Sequence, residues 1–315
     1  MHLIVDLAVP GIDFTSRRTT SVAAIDRVAN VDGGSELEFL LRHKQVTQQQ
    51  PLSFDLTLPG EERVAVAGDW HGSFSWVQKA IPALHRMAPE VRTILQLGDF
   101  GIWRERAGKG FSNAVDYWCR VTGIDRVLVT PGNHEDWDLL DAAFETQPGE
   151  AVQLSKTVWV LPRGYRFELA GRSFMSFGGA ASLDFAHRVV GKSWWPAELP
   201  TEDDVGRAVA GGSTEVLLTH ETVNGGAAET EQILSSNPFG WSMEALAYAA
   251  ESRAHVTGVW DAVSPAVLAH GHFHVKGEIE RPDGRRVYSL GADNDLGNLA
   301  LLSLDDLSWT WIEFS

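Results

Sequence analysis

The chain has 315 residues, 44% of them hydrophobic and 22% charged, with 26 Lys and Arg against 42 Asp and Glu. That is enough apolar material for a sizeable core, and it excludes a globally disordered chain. The net charge of −16 repels a polyphosphate backbone, which excludes an extended grip on duplex DNA or RNA.

Residues 1–60 read as an N-terminal appendage, possibly β. Polar stretches alternate there with candidate strands at Leu37–Leu41 and Phe54–Leu58, and Pro59-Gly60 punctuates its end. From Arg63 the pattern alternates strand and helix. Strands are predicted at 63–68, 92–98 and 125–131, and helices near 73–87, 111–122 and 136–145. Trp76, Ala80, Ile81, Leu84 and Met87 share one face of the first helix. This βαβα rhythm predicts a mostly parallel sheet.

The texture then changes to hairpins. Tyr165–Leu169 and Ser173–Phe177 flank Ala170-Gly171, Lys276–Glu280 and Arg286–Leu290 flank Pro282-Asp283-Gly284, and Leu299–Leu304 and Trp309–Phe314 flank Asp305-Asp306. They predict a second, more antiparallel sheet. The fold class is therefore α/β, a four-layer αββα sandwich of two mixed sheets flanked by helices, over residues 61–315. Insertions near 180–212 and 221–262 interrupt it, the second holding a helix N-capped by Ser242. No window reaches the roughly 18 consecutive apolar residues of a membrane span. Cys119 is the only cysteine, so no intrachain disulfide forms. The expected location is cytoplasmic, away from membranes.

Five short motifs carry the chemistry: Gly68-Asp69-Trp70-His71-Gly72, Gly98-Asp99-Phe100-Gly101, Gly132-Asn133-His134-Glu135, Leu218-Thr219-His220 and Gly271-His272-Phe273-His274. Asp, Asn and His bind borderline divalent metals through oxygen and imidazole nitrogen. Apolar runs such as Val64–Ala67 and Ile94–Leu97 precede them, so the donors fall where parallel strands deliver side chains into a crevice. Two ions about 3.5–4 Å apart need a shared ligand, and the two oxygens of Asp99 suit that role. Asp69 and His71, two positions apart, chelate one ion together. Asn133 offers a neutral carbonyl oxygen, and His220, His272 and His274 complete two shells. Both insertions leave strand ends that carry these donors, so they are expected to form the rim of a binding site.

The ordered series GDxHG, GDxG, GNHE, TH and GHxH resembles the calcineurin-like metallophosphoesterase superfamily over roughly residues 63–315. Ser193-Trp194-Trp195-Pro196 is similar to a bacterial and phage branch of it. The resemblance implies a metal-dependent phosphoesterase with two divalent ions, Mn foremost and Fe, Zn or Ni as alternatives. Asp69, His71, Asp99 and His274 would hold one ion, and Asp99, Asn133, His220 and His272 the other. A water activated between them would attack phosphorus in line, with His134 assisting the leaving oxygen and Glu135 or a nearby carboxylate orienting that imidazole. The Asp-Arg-Gly that many members carry after the second motif is missing, which speaks against a protein phosphatase. Arg104, Arg106, Lys109 and Arg188 are candidate phosphate clamps in its place, and Trp194 and Trp195 either offer a nucleobase platform or pin the insertion to the core. His270 reads as a strand-end residue outside the ligand set. The expected partner is a small, nucleotide-like phosphodiester such as a cyclic nucleotide. A phosphomonoesterase, a nucleotide pyrophosphatase and a metal-binding scaffold without catalysis remain alternatives.

Overall fold

The structure is a computed structural model that describes residues 53–104 and 106–314. The candidate strand Leu37–Leu41 lies outside the described residues. The strands are β1 (Ser53–Asp55), β2 (Arg63–Ala67), β3 (Thr93–Gln96), β4 (Arg126–Val129), β5 (Val152–Gln153), β6 (Val158–Val160), β7 (Tyr165–Leu169), β8 (Arg172–Phe177), β9 (Val216–Thr219), β10 (Val267–His270), β11 (Gly277–Glu280), β12 (Arg286–Ser289), β13 (Leu299–Ser303) and β14 (Trp309–Ile312). The helices are α1 (Phe74–Met87), α2 (Arg106–Thr122), α3 (Trp137–Thr146), α4 (Glu202–Ala210), α5 (Ala228–Ser236) and α6 (Met243–Val263).

Strand periodicity sorts the side chains into layers. On β2, Val64 and Val66 face the space between two sheets, while Ala65 and Ala67 face helices. Val216 and Leu218 of β9 turn inward and Leu217 outward, and β10 repeats this with Val267, Ala269 and Leu268. Strands covered on both faces read as continuous apolar runs, which is how they stand in the sequence. Outside the first sheet, Val77, Ile81 and Leu84 of α1 pack with Phe111, Val115 and Cys119 of α2. Outside the second, Val256, Val259, Trp260 and Val263 of α6 cover Met175 and Phe177. The result is the expected αββα sandwich. Met87, placed on the apolar face of α1 by periodicity, is exposed at the helix end.

Each sheet has seven strands, in the orders β14-β13-β2-β3-β4-β6-β5 and β1-β7-β8-β9-β10-β12-β11. The second sheet is more parallel than its hairpins suggest. Only β7–β8 and β11–β12 pair antiparallel, while β8–β9, β9–β10 and β10–β12 are parallel. The third hairpin, β13–β14, joins the first sheet through β2 instead. A hairpin turn fixes only its own pairing. Ala170 and Gly171 both take positive φ, 49° and 78°, as a two-residue turn requires, but that says nothing about the next strand. The insertions carry helices over the sheet face, and such crossovers return the chain parallel. β1 pairs with β7, so part of the segment read as an appendage is an edge strand of this sandwich. Among the described residues, no helix is long and apolar enough to cross a membrane.

Candidate metal centre

β2, β3 and β4 run parallel in one sheet, and β9 and β10 run parallel in the other. Their carboxyl ends lead directly to Asp69, Asp99, Asn133, His220 and His272. This is the crevice where open α/β sheets place ligands. The loops there are tied to one another by backbone hydrogen bonds. The N–H groups of Trp70 and His71 both donate to the Asp99 carbonyl, at 3.1 and 2.7 Å. Glu135, fully buried, accepts from the N–H of Asp99 (3.1 Å), Gly101 (3.1 Å) and Gly132 (2.5 Å). Glu135 therefore clamps two motif loops together, and the His134 ring meets Arg188 at 3.0 Å and, among carboxylates, Asp99 Oδ2 at 3.8 Å from its Nε2.

The backbone is strained at this point. Among the described residues, nine non-glycine positions have positive φ, and four of them are His71 (44°), Asp99 (50°), His272 (73°) and His274 (54°). Such conformations cost about 1–3 kcal/mol each and cluster where function requires them. Close approach is equally tight. A Cβ on Gly132 would stand 2.3 Å from Asp99 Oδ1, and one on Gly271 would stand 2.1 Å from Asp69 Oδ1.

Asp69, His71, Asp99 and His274 each bring one ligand atom within 4.8 Å of the others, a candidate metal site. His274 Nε2 lies 3.0 Å from Asp69 Oδ2, and His71 Nε2 lies 3.5 Å from Asp99 Oδ2. On the other side of Asp99, His220 Nε2 stands 3.4 Å from its Oδ1 and 3.0 Å from Asn133 Oδ1. The His272 ring centroid is 5.1 Å from that of His220. The structure thus gathers all seven predicted donors at one place.

The electrostatics suit divalent cations. Burial pulls His71 down, but Asp99, Asp69 and Asp293 outweigh it and push its pKa up to about 10. His220 is likewise pushed up to about 10, with Asp99 and Asp69 overcoming burial. Burial would raise Asp99, yet His134, His220 and His71 hold it well below the usual carboxylate range. The carboxylates of Asp69 and Asp99 thus hold positive charge at this point, as protons on His71 and His220, and cations bound there would replace those protons. Burial, then the nearby His220, keeps His272 well below the ordinary histidine value. Its Nε2 is buried without a hydrogen-bond partner, a neutral donor free for a cation. The second ring nitrogens of two other histidines are already engaged, His71 Nδ1 with Asp293 (3.0 Å) and His220 Nδ1 with the Leu97 carbonyl (2.6 Å). Such outer partners orient ligand imidazoles.

A cavity of about 500 Å³ opens over the centre. Asp99, Asn133, His134, His272 and His274 line one side, and Leu183, Asp184 and Arg188 come from the first insertion. Ile233, Phe239 and Trp241 come from the second. His134 donates its backbone N–H to Asp99 Oδ1 at 2.9 Å, which anchors its loop at the centre, and its ring Nε2 lies 3.8 Å from Asp99 Oδ2. Both ring nitrogens lie 3.0 Å from Arg188, whose Nε also pairs with Asp184 at 2.5 Å. Burial, and then the charge of Arg188, pulls the His134 pKa below its ordinary value against Asp99.

Two predicted substrate contacts lie elsewhere. Arg104 is exposed and pairs with Asp136 (2.7 Å) and Asp138 (3.4 Å), outside the cavity lining. Trp194 packs against Phe185 and donates its indole N–H to Glu198 at 2.9 Å, so its ring holds the insertion together. His270 ends β10 as a buried residue whose Nδ1 meets the Gly271 carbonyl, and it does not line the cavity. Sequence reasoning missed Phe239, Trp241, Asp293 and Glu198. Asn237-Pro238-Phe239-Gly240 is a turn signal with aromatics beside it, but nothing in the sequence aims that turn at the centre.

The profile of the calcineurin-like phosphoesterase family matches residues 62–276. No curated protein matches the sequence. One solved structure is similar at 15% identity and a TM-score of 0.50, covering 81% of this chain and 99% of its own. A dimetal phosphatase from Danio rerio is similar at 13% identity and a TM-score of 0.46, over 78% of this chain and 93% of that one. A protein of Thermus thermophilus, TT1561, is similar at 11% identity and a TM-score of 0.48, over 79% and 96%. At these identities the likeness is one of fold. The profile match spans every candidate donor from Asp69 to His274, and the chain belongs to the calcineurin-like phosphoesterase family.

Proposed function

We propose that the protein is a dinuclear phosphodiesterase that hydrolyses small, nucleotide-type phosphodiesters such as cyclic nucleotides. The observation that carries this reading is the grouping of Asp69, His71, Asp99 and His274 within 4.8 Å, with Asn133, His220 and His272 beside Asp99, at a cavity that His134 and Arg188 line. Asp69, His71, Asp99 and His274 would hold one ion and Asp99, Asn133, His220 and His272 the other, with Mn the expected metal. Divalent ions bound there supply Lewis acidity toward a phosphoryl oxygen and acidify water near pH 7.

The chain's own residues do the rest. Asp99 Oδ1 holds the His134 backbone, so its ring is pre-positioned to donate a hydrogen bond to the departing oxygen. Arg188 is anchored by Asp184 and the Ser193 carbonyl at 3.0 Å, which leaves its positive charge at the cavity wall for a phosphate oxygen. Leu183, Ile233, Phe239, Trp241, Phe273 and Val275 supply an apolar wall for an ester arm. One arginine against this wall suits a singly charged diester better than a dianionic monoester. The cavity volume falls in the range of small-ligand sites, at roughly 300–1,000 Å³. Turnover of bis-aryl and mono-aryl phosphates in the presence of Mn tests the preference. Faster diester hydrolysis is expected, and faster monoester hydrolysis would overturn it.

A further inference from the structure

Asn133 poses a problem of polarity. Its amide presents an oxygen and an NH2 of nearly the same shape, and only Oδ1 can ligate a cation. In the structure Oδ1 faces His220 Nε2 at 3.0 Å, while Nδ2 donates to Ser182 Oγ at 3.0 Å. Ser182 has one hydroxyl hydrogen, and it goes to Glu198 Oε2 at 2.7 Å. Toward Asn133 the hydroxyl can therefore only accept. The Ser182 backbone N–H also donates to Glu198, at 2.6 Å, so the serine is held at two points. Glu198 is fully buried and takes two further donors, Trp194 Nε1 at 2.9 Å and the Tyr248 hydroxyl at 3.2 Å. Arg163 secures the backbone beneath it by donating to the carbonyls of Ala197 and Glu198, each at 2.8 Å.

The geometry points to Ser182 and Glu198 as positioning residues that fix which end of the Asn133 amide faces the metal centre. The inference rests on the reading that Asn133 holds one of two ions, and it adds the device that keeps its oxygen turned inward. Glu198 sets the direction of the hydrogen-bond chain. In its ionised form, the form favoured above the value of about 7 to which burial pushes it, the carboxylate only accepts, so the serine hydroxyl donates to Oε2 and the amide nitrogen donates to the serine. The same carboxylate ties the first insertion, through Trp194, and α6, through Tyr248, to this one ligand.

Metal titration of the full chain, with Mn as the probe, tests the device. In E198Q the new amide can donate to Ser182 Oγ and release the hydroxyl hydrogen toward Asn133, which favours the flipped amide. E198Q and S182A are each expected to weaken one of the two Mn sites by about 10–100-fold and leave the other unchanged, while S182T retains wild-type affinity at both. Both affinities unchanged, or both falling together, would overturn the assignment. A second arm needs no metal. In the metal-free protein the Asn133 side-chain amide protons should exchange slowly in wild type and at an unprotected rate in S182A. Equal exchange in the two proteins would also overturn it. Wild-type protein that takes up no Mn would sink the functional reading, while the amide exchange still judges the chain of hydrogen bonds.

Discussion

At the scale of single residues, His134 and Gly132 make opposite contributions, one by what it adds and the other by what it lacks. His134 is poised over the centre by Asp99 and Arg188 without joining the donor set. H134A should cut turnover by about 10²–10⁴-fold, the usual worth of a positioned proton or hydrogen-bond donor, with metal content unchanged. Unchanged turnover would remove it from the reaction. Gly132 has no side chain to spare, since a Cβ there would stand 2.4 Å from the Asp99 amide nitrogen. G132A should cost about 1–3 kcal/mol by overpacking and lower metal uptake, measured by denaturant melts and metal analysis. A variant with native stability and native metal content would show that the loop yields more easily than its contacts imply. The donors themselves were legible because ligand chemistry needs particular side chains beside glycines at strand ends. Asp293 and Ser182 were not, since an outer partner needs only one polar atom, and many positions in the chain offer that.

Among the elements, the turn between α5 and α6 bears most directly on substrate choice. Asn237, at φ 45°, pairs its side chain with Trp241 in both directions, Nδ2 to the carbonyl at 3.0 Å and Oδ1 from the N–H at 2.9 Å. That pair of hydrogen bonds stiffens the loop that presents Phe239, 69% exposed, with its ring 5.0 Å from Trp241. Phe239 and Trp241 both line the cavity, so the exposed ring is placed to meet a ligand there. Stacking of a base on such rings is worth about 1–3 kcal/mol. F239A and W241A should therefore raise KM for a nucleotide-type diester and leave an aliphatic diester largely unaffected. Equal losses on both substrates would argue that the rings only support the loop. Sequence reasoning left Trp194 between this work and a packing role in the insertion. A tryptophan in an insertion looks the same whether it faces a ligand or its own core, and only the Glu198 contact separates the two cases. Strand and helix positions fared better, because apolar period and glycine-proline punctuation are local signals. Sheet membership did not, as β13–β14 shows, because pairing partners are chosen by burial across the whole chain.

For the molecule as a whole, two parallel strand bundles in facing sheets aim their carboxyl ends at one crevice, and this convergence is what makes seven scattered residues a site. The net charge of −16 repels an anionic substrate at long range. Hydrolysis of phosphoesters would therefore depend on reversing the field locally, with cations bound at Asp69 and Asp99 supplying the positive charge. In the proposed centre Asp99 lies between two metal positions. A crystal grown with Mn and measured at its absorption edge tests this most directly. Two anomalous peaks are expected, one touching Asp69, His71 and His274 and the other touching Asn133, His220 and His272, with Asp99 contacting both. A single peak, or peaks that Asp99 does not contact, would contradict the account.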